Sequence, residues 1–139
     1  MTLNIYETAD SGSVFSADES FSNPIAHAFD GVLGTVLEIK YYVRNDDILR
    51  SYTNITVQPI DGGDSLVDGS LGFSWKLFAG DTQPSADLWA LVTEGASIDL
   101  ADISDSNTYL PFWVRIEVPN NTEVSSFQSV VLRIAAVES

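Results

Sequence analysis

The stretch Val36-Leu37-Glu38-Ile39-Lys40-Tyr41-Tyr42-Val43 decides the fold. Its side chains alternate, with Leu37, Ile39, Tyr41 and Val43 on one side and Val36, Glu38, Lys40 and Tyr42 on the other. A period of two is the repeat of an extended strand with one face in a core; a helix repeats every 3.6 residues. The same period recurs downstream. Residues 54–60 set Ile55, Val57 and Pro59 against Thr56 and Gln58, and residues 71–79 set Leu71, Phe73, Trp75 and Leu77 against Gly72, Ser74 and Lys76. Residues 112–118 place Phe112, Val114, Ile116 and Val118 opposite Trp113, Arg115 and Glu117, and residues 127–137 gather Val130, Leu132, Ile134 and Ala136. Five half-buried strands follow, with Leu37, Ile39, Phe73, Trp75, Val114, Ile116, Leu132 and Ile134 as the expected core.

Between these runs stand Asn45-Asp46-Asp47, Asp61-Gly62-Gly63, Asp68-Gly69, Ala79-Gly80-Asp81 and Pro119-Asn120-Asn121. Asp, Asn and Gly tolerate left-handed backbone and make local side-chain hydrogen bonds, so they end strands. The spacing of strands and turns suits a sandwich or barrel. Residues 88–93 read as one more short strand, and 97–103 as a helical turn or a loop crossing the end of the sandwich. No repeat at solenoid or propeller periods is visible.

Residues 1–34 read differently. Breakers such as Ser11-Gly12-Ser13, Ser22-Asn23-Pro24 and Asp30-Gly31 interrupt isolated Val14, Phe15, Phe21, Ile25 and Phe29. The spacing is too irregular for one face of a helix or strand. The apolar content is too high for a plain solvated linker. The expectation is an extended N-terminal arm over 1–34, which either folds back over an open end of its own sandwich or, the favoured outcome, lies across a neighbouring subunit, followed by a β-sandwich domain over 35–139.

Composition narrows the function. At 139 residues the chain fits one domain, and a hydrophobic fraction of 45 % is ample for a core. Twenty acidic residues against six basic ones leave a net charge of −14. Nucleic-acid affinity is built on cations that neutralise phosphates, so no nucleic-acid partner is expected. The same balance argues against an anionic membrane surface, and no apolar run reaches the length of a span. Cysteine is absent, which excludes disulfides and thiolate chemistry. The first seven residues carry neither a basic nor an apolar leader region, so the protein is expected to be made and folded in a cytoplasm. The sequons Asn54-Ile55-Thr56 and Asn120-Asn121-Thr122 then read as chance matches.

Catalytic and metal motifs are weak. His27 is the one histidine, and it sits in Pro24-Ile25-Ala26-His27-Ala28-Phe29 without a Gly-x-Ser-x-Gly elbow anywhere in the chain. With twenty acids on so small a domain, some carboxylate pair meets glycosidase spacing by accident. Asp99, Asp102 and Asp105, like Asp61, Asp64 and Asp68, offer oxygens to calcium but lack the EF-hand pattern, and solvated turns are the expected reading. One His and no Cys cannot build a transition-metal site. No enzyme activity, cofactor or metal is therefore expected. Aromatic side chains are the stronger signal. Trp75 falls on an apolar face and reads as core, whereas Trp113 and Tyr42 fall opposite the apolar faces of their strands. Outward aromatics are favoured interface anchors, and a stacking platform for sugars is the competing use. The candidate contact residues are Phe15, Phe21, Ile25 and Phe29 in the arm and Tyr42 and Trp113 in the sandwich.

Three segments taken together carry a family likeness. They run from Phe29-Asp30-Gly31 through Tyr41-Tyr42-Val43-Arg44-Asn45-Asp46, then Ser74-Trp75-Lys76-Leu77, then Pro111-Phe112-Trp113-Val114-Arg115-Ile116-Glu117-Val118-Pro119. The last resembles the closing hairpin of immunoglobulin-like modules. The whole is similar to immunoglobulin-like β-sandwich virion structural proteins of tailed bacteriophages. That resemblance implies an all-β, antiparallel immunoglobulin-like sandwich without catalytic residues. It implies a capsid decoration or cement protein, or else a neck, tail or baseplate component, assembled in the host cytoplasm and carried in the virion. Its partners would be other virion proteins and further copies of itself in a symmetric homo-oligomer. A carbohydrate-binding sandwich module is the alternative from another class.

Overall fold

The computed structural model describes residues 3–6, 14–15, 35–45, 49–60, 74–104, 109–118 and 131–138. In chain order the elements are β1 (Leu3–Tyr6), β2 (Val14–Phe15), β3 (Thr35–Asn45), β4 (Tyr52–Ile60), β5 (Ser74–Ala79), α1 (Ala86–Ala90), β6 (Ile98–Leu100), β7 (Tyr109–Val118) and β8 (Val131–Glu138). The fold is all-β, with strands in two antiparallel sheets. One sheet has five strands in the order β2-β1-β3-β7-β5, and the other has three in the order β6-β4-β8.

The alternation of β3 works as expected: Tyr41 and Val43 are fully buried, and Leu37 and Ile39 pack against the core from its margin. Trp75 and Leu77 of β5, Phe112, Val114 and Ile116 of β7, and Leu132 and Ile134 of β8 complete the inner faces. Phe73 and Val130 lie outside the described residues. One hydrophobic cluster joins both sheets, as face-to-face packing of two half-buried sheets requires. Strand β4 keeps its inner face through an irregularity. Tyr52 and Ile55 are both buried although three residues apart, and the pairing with β8 shifts register between Thr53 and Thr56. Asn54 sits there at φ 50°, a left-handed conformation that Asn tolerates better than most residues. The extra residue returns both side chains to the core.

Apart from β1 and β2, strands adjacent in sequence do not pair. β3 and β4 lie in different sheets, as do β7 and β8; β3 pairs with β7 from Thr35↔Val118 to Arg44↔Tyr109, and β4 pairs with β8. From β3 onward successive strands alternate between the sheets, so the chain crosses from one to the other five times, and the β3–β7 and β4–β8 pairs lock against each other. Asn45, fully buried, secures the first crossing by donating from Nδ2 to the Arg50 carbonyl at 2.9 Å.

Two expectations need correction. Residues 88–93 are not a strand: Ala86–Ala90 is helical, with Ser85 as its N-cap accepting the Leu88 N–H at 3.3 Å and Asp87 in its first turn. Residues 97–103 are neither a helical turn nor a plain loop. Ile98–Leu100 forms β6 against β4, and Ile103 bridges to Tyr52 through two backbone hydrogen bonds of 2.7 and 3.0 Å. Within the segment read as an arm, Leu3–Tyr6 is a strand of the larger sheet, paired with β3 and with Leu3, Ile5 and Tyr6 buried.

Candidate interaction surface

The outer side of the five-stranded sheet carries the distinctive chemistry. Each cross-strand row there follows from the register. Tyr6, Tyr42 and Pro111 share one row; Lys40, Trp113 and Phe78 share the next; Glu38, Arg115 and Lys76 share a third. Four of the chain's six basic residues, Lys40, Arg44, Lys76 and Arg115, stand on this side.

At one end the surface is aromatic. Tyr42 meets Tyr109 edge to face, with centroids 5.5 Å apart and an interplanar angle of 82°. This is a geometry that aromatic quadrupoles favour. The Lys40 ammonium lies 5.4 Å from the centroid of the Tyr42 ring, and the Arg44 guanidinium lies 3.7 Å from that of Tyr6. Tyr109 remains 47 % exposed, the most accessible aromatic of the group.

At the other end a strap, residues 80–95 with α1 at its centre, lies against the sheet. Trp89 is buried and packs on Phe78 at 6.1 Å. Its indole N–H donates to Glu38 Oε1 at 2.5 Å, and Gln83 Nε2 donates to the same oxygen at 3.4 Å. The second oxygen of Glu38 accepts from Arg115 at 3.1 Å, so one carboxylate joins the strap to two strands. Lys76 donates to the Trp89 carbonyl at 3.1 Å and faces Glu94 at 3.9 Å. Lys40 pairs with Asp81, whose carboxylate hydrogen bond, the largest cause, raises the lysine pKa above its usual 10.5. Between strap and sheet is a cleft of about 200 Å³ bordered by Lys76, Ala86, Trp89, Ala90, Arg115 and Glu117.

The sequence-derived candidates fall unevenly on this map. Tyr42 and Trp113 both point out of the core, and both are half-buried. Trp113 is engaged already, its indole N–H donating to the Asp81 carbonyl at 3.2 Å. Phe15 is placed by backbone alone, on β2 opposite Ile5. Phe21, Ile25 and Phe29 lie outside the described residues, as do His27, Asp61, Asp64, Asp68 and Asp105. Asp99 and Asp102 are exposed. Among the described residues no three His, Cys, Asp or Glu side chains stand together as a metal site, and no helix is long and apolar enough to cross a membrane.

Sequence reasoning missed Tyr109, Glu38 and Trp89. Tyr109 was within reach: it lies four residues before Trp113, so the alternation that turns Trp113 outward turns Tyr109 outward too. The roles of Glu38 and Trp89 come from a contact between residues far apart in sequence, which no local pattern signals. No family model, curated protein or solved structure matches this chain.

Proposed function

We propose that the chain is a structural component of a bacteriophage virion, a capsid decoration or cement protein acting by protein–protein contacts through the outer side of its five-stranded sheet. The observation that carries this reading is the edge-to-face pair Tyr42–Tyr109, with Trp113 on the same outer side of the sheet. Large aromatic side chains held in place by cross-strand neighbours lose little freedom on binding, which is why they dominate protein contacts. The resemblance of the Phe29–Asp46, Ser74–Leu77 and Pro111–Pro119 segments to immunoglobulin-like phage proteins suggests the particle. A fold by itself assigns no function, so the surface and the resemblance bear the weight together.

Mass spectrometry of purified virions tests the proposal, with many copies of this chain per particle as the expected result. A copy number of a few to a dozen would point to a neck, tail or baseplate position instead. Absence from the particle would overturn the reading. The Tyr42–Tyr109 pair also suits a sugar platform. Glycan binding that is lost in a Tyr109→Ala or Trp113→Ala variant would favour that second function.

A further inference from the structure

Trp113 is the outward tryptophan of β7, yet the strap holds its indole N–H and covers part of its surroundings. We infer that residues 81–94 form a displaceable cover, pinned at both ends, whose lifting uncovers Trp113 and Phe78.

Both ends of the cover are fixed to the sheet through glycines. The Gly80 N–H donates to the Pro111 carbonyl at 3.2 Å and the Gly95 N–H to the Trp75 carbonyl at 2.9 Å. These residues hold φ of 139° and 75°, backbone regions that favour glycine, and a side chain added at Gly80 would meet nothing within 4 Å. The chain thus has a permissive joint at each end, with space around the first.

What lies between is lightly attached. Of residues 81–94 only Pro84 and Trp89 are buried. The rest of the attachment is polar: Asp81 to Lys40, Gln83 to Glu38, the Trp89 indole to Glu38, and Glu94 with the Trp89 carbonyl to Lys76. The acids of the two ion pairs are open to solvent, with Asp81 78 % and Glu94 42 % exposed. Exposed ion pairs are individually weak and are screened by salt. A segment with few buried apolar contacts opens at a lower free energy than the sheet beneath it. Lifting it removes both acids from Lys40 and Lys76 and bares an aromatic row.

The test is residue-resolved hydrogen exchange by NMR on the full chain. Amides of 81–94 and the indole N–H groups of Trp89 and Trp113 should exchange together, about tenfold or more faster than amides of β3 and β7. The rate should rise in about 1 M sodium chloride, where the Debye length shrinks to about 3 Å. Glu38→Gln, which keeps the apolar contacts, should speed the strap's exchange and leave Trp75 protected. Exchange of 81–94 only in step with the sheet would overturn the inference. So would an opening strap whose motion leaves the Trp113 indole protected. Neither result depends on the virion assignment: absence from particles alongside fast strap exchange would refute the function and leave the cover standing.

Discussion

The two sheets bury similar inner faces and differ in what they carry outside. The five-stranded sheet bears Tyr42, Trp113, Phe78, Glu38, Arg115 and Lys76 on its outer side, tied together and partly covered by a strap. The described outer side of the three-stranded sheet carries no aromatic residue: Thr56 stands opposite Ala135, Gln58 opposite Arg133, Thr53 opposite Val137 and Ile60 opposite Val131. Burying the core demands nothing of either outer side. The bulky and charged residues gathered on one of them therefore serve something other than the sandwich itself, and the strap and the proposed contacts are what the geometry offers.

This contrast can be broken by mutation. The largest effects belong to the inner faces, where the sheets are alike. Trp75→Ala should cost about 3–5 kcal/mol and Leu132→Ala about 2–5 kcal/mol, measured by chemical denaturation. An unchanged midpoint for Trp75→Ala would mean the inner face of β5 is misassigned. Next comes the outer side of the large sheet. Glu38→Ala removes the acceptor shared by Trp89, Gln83 and Arg115 and should cost about 1–2 kcal/mol, reduced from a fully buried charged network because the site is partly open. The Gln58→Ala change on the other sheet should stay within about 0.5 kcal/mol. Equal costs for Glu38→Ala and Gln58→Ala would erase the distinction.

A smaller effect is pH-dependent. The Lys40 pKa is raised in the folded protein by the Asp81 carboxylate, so this pair's stabilisation is fully present below the unfolded lysine value of 10.5. It is lost as pH climbs through the raised folded value. Thermal melts from pH 9 upward should show this decline, and Asp81→Asn should flatten it. The smallest change is Ala135→Ser at an exposed position on the outer side of β8, which should alter the melting temperature by less than the error of a duplicate scan. A clear destabilisation there would mean that Ala135 is packed against a further segment.

How far the sequence announced this arrangement depends on the reach of each interaction. Alternation made the facing of Tyr41, Val57, Trp75, Val114 and Ile134 legible, because it is set by neighbours two residues away. The helix at Ala86–Ala90 escaped because five residues give no periodic signal. Strand β6 escaped because three residues cannot alternate convincingly, and its extended form comes from β4 beside it. The surface was legible only in part. Trp113 could be turned outward by pattern, but the Asp81 carbonyl that receives its indole N–H could not be foreseen from any neighbouring residue.

The locked crossing of the strand pairs also bears on how the molecule is made. On the ribosome β3 emerges long before β7, and β4 before β8, so neither long ladder can close when its first strand appears. Synthesis runs at roughly 5–20 residues per second, which leaves β3 and β4 waiting several seconds with unpaired edges and apolar faces. Pairings between distant segments also form slowly once both partners exist. The nascent chain should therefore stay protease-sensitive until β8 has cleared the exit tunnel, and its yield should depend on chaperone supply more than that of a helical protein of equal length.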